Sequence, residues 1–90
     1  MSVIVQFIVK VPDVDRFVAT SKKFDPMMAE MGARNQGVYE DENEPGLMSS
    51  LAEWDSHDQM HMASEKYGDE FNEEAGTAGL DWTTHIWHQK

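Results

Sequence analysis

The chain begins with a run in which almost every position is apolar. Val3, Val5, Phe7, Val9 and Val11 alternate with Ile4, Gln6, Ile8 and Lys10, so both sides of an extended segment carry hydrophobic groups. Side chains of a strand point alternately to its two faces, and this pattern therefore predicts a central strand. Pro12 and Asp13 follow, and Asp13 suits a helix N-cap because its carboxylate accepts an amide hydrogen that a helix start leaves unpaired. Val14, Phe17, Val18, Ser21 and Phe24 then recur at helical spacing. Asp25-Pro26 interrupts the pattern, since proline has no N–H to donate, yet aspartate as cap with proline at the first helical position restarts a turn. Met27, Met28 and Met31 carry the apolar face on to Gly32, which predicts one long helix kinked at the proline.

Residues 33–40 mix polar and apolar types, as an edge strand does. In the stretch DENEPG, Pro45 and Gly46 fit the central positions of a type II turn, and Leu47 to Trp54 return as a third strand in a hairpin with the second. Ser56, His57, Asp58 and Gln59 match a capping box, in which Ser56 accepts from the Gln59 amide while the Gln59 side chain reaches back. A second helix starts there, with Met60, Ala63, Ser64 and Tyr67 inward. Gly68 and Asp69 permit a fresh start, and Phe71 and Ala75 lead to Gly76. The closing DWTTHIWHQK alternates aromatic, β-branched and histidine residues and reads as a last strand.

The order β-α-β-β-α-β is the split arrangement of the ferredoxin-like α+β fold: an antiparallel four-stranded sheet with both helices on one face. A single domain over residues 1–90 is expected. Such a sheet leaves one face bare, and a chain of this length buries only about 60% of its unfolded surface. Without cysteine it has no disulfides to add. The natural cover is a second copy, so a homodimer is expected.

Charge narrows the partners. Seventeen acidic and seven basic residues leave a net charge of -10, and thirteen of the acids fall after residue 38 with only two bases. That surface repels phosphate backbones and anionic bilayers, so neither nucleic acid nor membrane is expected as a partner. The opening apolar run holds Gln6, lacks a basic lead-in and is shorter than the roughly 20 residues that span a bilayer. A cytoplasmic protein is expected.

Several residues carry possible chemistry. His57 and His61 are four apart on a helix, and HDQMH resembles the H-E-x-x-H helix of zinc proteases, but aspartate replaces the glutamate and no third ligand is evident. No metal site is expected, and both histidines read as helix-surface residues. Trp54, at the corner where the third strand meets the second helix, either packs under that helix or lines a pocket. Gln6, the uncharged polar residue of the first strand, needs a partner if buried: its symmetry mate or a ligand. In the last strand, period two puts Trp82, Thr84, Ile86 and His88 on one face and Thr83, His85 and Trp87 on the other. Should His85 point inward among aromatics, desolvation lowers its pKa and makes it a candidate base; otherwise it is a core or interface histidine. Phe24, Met28, Met60, Tyr67 and Phe71 would make an adaptable apolar lining for a small hydrophobic or aromatic molecule, and equally an ordinary core.

The opening VIVQFIVKV, the MGA at residues 31–33, the hairpin, the EWDS at residues 53–56 leading into a helix, and the short last strand together resemble the antibiotic biosynthesis monooxygenase-like family of dimeric α+β barrels. The resemblance covers nearly the whole chain. It implies a homodimer whose sheets close into a barrel, with a pocket between sheet and helices. Some members oxygenate polycyclic phenols or quinols without metal or flavin, the substrate's own anion reacting with oxygen, so no cofactor is expected. Trp54 matches the pocket tryptophan of the family. Its asparagine falls at Ser50 and its helical tyrosine near Met60, and residues 57–75 lack the tryptophan of the haem-degrading branch. Two readings result: a cofactor-independent monooxygenase-like enzyme with Trp54 holding the substrate and His85 as base, or a non-catalytic homodimeric module that binds a hydrophobic small molecule such as an acyl chain or flat aromatic.

Overall fold

A computed structural model describes residues 2–90; Met1, which begins the expected domain, lies outside them. Strand β1 (Val3–Lys10), helix α1 (Val14–Glu30), strands β2 (Arg34–Glu40) and β3 (Leu47–Trp54), helix α2 (His57–Ala75) and strand β4 (Trp82–His88) follow in that order. The strands form one antiparallel sheet, β2-β3-β1-β4. This is the ferredoxin-like arrangement, and β1 is central because it pairs on both sides.

Local chemistry sets the boundaries. Asp13 Oδ1 accepts from the Arg16 amide at 3.0 Å and starts α1. Pro26 removes one amide donor, yet α1 runs unbroken through it for 17 residues, with its own turns on either side carrying the segment. At the hairpin, the Leu47 amide donates to the Glu44 carbonyl at 3.2 Å and Gly46 takes φ +86°, as a type II turn requires at that position. Ser56 Oγ accepts from the Gln59 amide at 3.2 Å, but Gln59 Oε1 reaches one residue further back than a capping box does and accepts from the Asp55 amide at 2.9 Å. Helix α2 is continuous through Gly68, without the fresh start the sequence allows, and ends on Gly76 in the left-handed region. The final turn of α2 has no basic residue of its own; Arg16 of α1 supplies the cation, donating to the Glu73 and Glu74 carbonyls at 3.0 and 2.7 Å.

The two faces of the sheet differ. Val3, Val5 and Val9 of β1 are buried beneath the helices, whereas Ile4, Gln6, Ile8 and Lys10 lie on the other face and keep solvent contact. Register then assigns both neighbours of β1: Trp54, Ala52, Ser50 and Met48 of β3, and Ile86, Thr84 and Trp82 of β4, stand opposite its buried parity. The core is divided along the sheet. One cluster gathers Val3, Val5, Ala33, Trp54, Met60 and Ala63; the other gathers Val9, Val11, Phe17, Met48 and Ala75. Phe17 and Phe24 are fully buried, each contributing about 1.5–3 kcal/mol relative to an exposed side chain. Edge-to-face pairs tie α1 to α2: Phe24 with Phe71 at 5.4 Å and Phe17 with Phe71 at 5.9 Å between ring centroids.

Candidate ligand cavity

Between the two clusters the layers do not fill the space. A cavity of about 410 Å³, partly open to solvent, lies between the buried face of the sheet and both helices. Small residues at the middle of each layer keep it open: Ser50 and Ala52 on β3, and Ala63, Ser64 and Gly68 on α2. Protein interiors pack near the density of organic crystals, so a void of this size in so short a chain gives up dispersion contacts. It falls within the range of pockets that take small molecules, about 300–1,000 Å³.

Apolar groups form most of the wall. Phe17, Phe24 and Met28 come from α1, Met60 and Phe71 from α2, Val5 and Phe7 from β1, and Trp54 and Trp82 from the flanking strands. Aromatic edges and methionine thioethers together suit a flat or flexible hydrophobic guest.

Two charged residues, Asp25 and Asp69, reach this wall. Asp69 is exposed, and solvent screens it. Asp25 is half-buried, and burial holds its carboxyl above the usual carboxylate range, opposed by the nearby Lys22 ammonium. Gln36 Nε2 donates to the Asp25 backbone carbonyl at 2.9 Å, and none of the described residues donates to its carboxylate. Ser21, one helical turn earlier, also lines the cavity; it is buried and its Oγ has no hydrogen-bond partner among the described residues.

Trp54, Phe24, Met28, Met60 and Phe71, named from sequence, all contact the cavity. Tyr67 packs edge-on against Phe24 at 6.3 Å, outside the lining. Gln6 and His85 stand opposite one another in the β1–β4 register on the other face of the sheet. There Gln6 Nε2 donates to Ser49 Oγ at 3.1 Å and its Oε1 accepts from Trp87 Nε1 at 3.2 Å. The partner of Gln6 within the chain is thus neither a symmetry mate nor a guest. His85 is exposed beside Trp87, so within one chain the inward placement considered for it belongs instead to Trp82 and Thr84, its neighbours of opposite parity. His57 and His61 lie exposed on α2 with ring centroids 4.7 Å apart, and no group of three or more potential metal ligands gathers among the described residues.

Ser21 and Asp25 escaped the sequence reading, which used one as a helix-face residue and the other as a cap. Their signal was present: two polar residues four apart within the Phe17, Phe24 and Met28 stripe. The polar residues of β1 held another signal, since Gln6 and Lys10 share one parity and mark the uncovered face.

No protein-family model and no curated protein matches the sequence. Solved structures do match. A provisionally assigned antibiotic biosynthesis monooxygenase of Bordetella bronchiseptica superposes with a TM-score of 0.82 at 13% identity, over 99% of this chain and 97% of that one. SnoaB of Streptomyces nogalater, a cofactor-independent oxygenase, gives 0.75 at 13% identity over 99% and 92%. A conserved protein of Methanosarcina mazei gives 0.78 at 18% identity over 100% and 94%. The chain has the fold of the antibiotic biosynthesis monooxygenase-like proteins. At these identities the likeness is one of fold, and activity has to be argued from the cavity. No helix among the described residues is long and apolar enough to cross a membrane.

Proposed function

We propose that this protein binds a small apolar or aromatic molecule in the cavity between sheet and helices and acts on it as a cofactor-independent oxygenase. The supporting observation is the cavity itself: about 410 Å³ held open by small residues and walled by Trp54, Phe24, Phe71 and two methionines. In this reading Trp54 positions a ring, and the deprotonated substrate is itself the reductant of dioxygen; a cofactor-independent oxygenase, SnoaB, shares the fold. A mainly apolar wall favours such chemistry by strengthening the interactions that orient the anion. The second copy belongs to the same proposal. Ile4, Ile8, Leu51 and Trp87 share the uncovered sheet face, and a homodimer that buries them closes the barrel.

A second reading has its own support. Ser50 and Met60 stand in the wall where the resembling family has asparagine and tyrosine. A less polar wall fits a carrier that holds its guest unchanged.

Dissolved-oxygen consumption with a panel of anthrone-like and quinol substrates separates the two. Turnover in the wild type, lost in Trp54→Ala variants that remain folded, is the expected result. No turnover across the panel, with an apolar compound extracted from the purified protein, decides for the carrier. Light scattering tests the dimer, and a stable monomer removes it.

A further inference from the structure

Within a mainly apolar wall, the half-buried Asp25 and the buried Ser21 are successive polar residues on one face of α1. The Ser21 hydroxyl oxygen is buried without a partner among the described residues, and the Asp25 carboxylate, which keeps solvent contact, receives no hydrogen bond from them. Buried hydroxyls nearly always find a partner, and an orphan carries a cost that a protein keeps for a reason. Packing alone does not supply one, because alanine would fill the Ser21 position without the orphaned oxygen. Except for the half-buried Ser50, the other polar groups of the wall are already engaged or screened. Gln36 donates to the Asp25 carbonyl, Asn72 Oδ1 accepts from Thr77 Oγ1 at 2.8 Å, and Asp69 is in solvent.

We propose that Asp25 and Ser21 form the polar end of the cavity and take the acidic hydroxyl of a phenol or enol, with Asp25 as its general base. This rests on the cavity being the binding site. The Asp25 carboxylate accepts the hydroxyl hydrogen, the substrate O–H bond breaks as an Oδ–H bond forms, and the electron pair stays on the substrate oxygen. The Ser21 hydroxyl donates to that oxygen and stabilises the anion. No oxidant or further reactant enters the step. The geometry also answers for chemistry that Ser50 and Met60 do not provide: the polar function sits on α1.

Burial, which holds the Asp25 carboxyl above its ordinary range, narrows the gap to a phenolic hydroxyl near pKa 10 and so favours transfer. The charged group acting on Asp25 is Lys22 on its own helix; Asp69 of α2 lines the same cavity, and β2 and β3 present no charge to it.

Naphthol and naphthalene test the assignment, since they share a ring system and differ by the hydroxyl. Chemical-shift titrations are run on wild type, Asp25→Asn, Ser21→Ala and the control Glu65→Gln, an exposed carboxylate of α2 outside the lining. Wild type should prefer naphthol by about tenfold, the scale of a hydrogen bond to a charged group. Asp25→Asn should abolish most of that preference, lowering naphthol affinity far more than naphthalene affinity; Ser21→Ala should reduce it, and Glu65→Gln should not. The wild-type preference should fade as Asp25 is protonated in acid, a pH dependence that Asp25→Asn removes. Equal binding of the two probes by wild type, or a preference that survives Asp25→Asn, overturns the proposal while the cavity stands. If naphthalene itself fails to shift residues of the wall, the cavity reading falls and this proposal falls with it.

Discussion

Trp54 and Trp87 sit on opposite faces of one sheet, and their surroundings could hardly differ more. Trp54 is 4% exposed, pressed between β1 and α2 at the rim of the cavity; Trp87 is 54% exposed and donates its indole N–H to Gln6. Both faces of β1 are rich in valine and isoleucine, so hydrophobic content does not distinguish them. The difference lies in what each face pairs its apolar groups with. On the covered face they meet helices, and the shortfall in side-chain volume at Ser50, Ala52 and Ala63 becomes a cavity. On the open face they surround a hydrogen-bonded amide, Gln6, fixed between Ser49 and Trp87. One side specifies by size and the other by polarity.

The largest expected effect tests this directly. Trp54→Ala should destabilise the fold by about 3–5 kcal/mol, toward the low end because an existing void already borders the ring. Trp87→Ala should cost about 1 kcal/mol or less, the value of a solvent-accessible side chain with one hydrogen bond. Urea unfolding of both variants at low protein concentration measures the contrast. Equal losses would mean that the open face is as buried in solution as the covered one, which is what a tight homodimer produces. Light scattering on Ile8→Lys then sharpens the result, because a charge on the open face, where a second copy would sit, should dissociate the pair without unfolding it.

Much of this architecture was legible from residues alone. Asp13, Ser56, Gly76 and the Pro45-Gly46 turn act through local backbone chemistry, and each boundary they set lies where the chain places it. The cavity lining from Phe24, Met28, Met60 and Phe71 follows from helical periodicity. Strand parity did not follow, because β1 is apolar on both sides and β4 carries aromatics on both sides; register against β1, a non-local property, is what separates His85 from Trp82. The polar pair on α1 was hidden for another reason. Asp25 precedes a proline, and that local pattern suggests a cap where α1 in fact continues.

A smaller effect comes from Asp25. Its folded carboxyl is held above the ordinary range, so the folded chain binds that proton more tightly than the unfolded chain. The ionised form therefore weakens the fold above the folded pKa, and the penalty disappears as pH falls to the unfolded value. Asp25→Asn should be more stable than wild type near neutral pH, by no more than about 1 kcal/mol because the group keeps part of its hydration. In acid the two should converge. A variant less stable than wild type at neutral pH would show that the carboxylate holds the fold together, and would detach it from the unpaired polar character of the covered face. Gain of stability with loss of naphthol preference is the trade expected of a residue kept for function.

Gly68 gives the smallest change and the finest test of why the covered face is hollow. It lies in the middle of α2, its backbone is helical, and a Cβ built there meets no atom within 4 Å. Glycine inside a helix costs roughly 0.5–1 kcal/mol relative to alanine, so Gly68→Ala should stabilise the fold by about 0.5 kcal/mol with no clash to offset it. Gly68 lines the cavity, so the added methyl group should take up part of its volume and weaken naphthalene binding several-fold. If the variant is stabilised and binding is unchanged, the guest occupies the other end of the cavity, nearer Trp54. If it is stabilised and binding falls, then the absence of a side chain at this position, against the preference of the helix, is what keeps room for the guest.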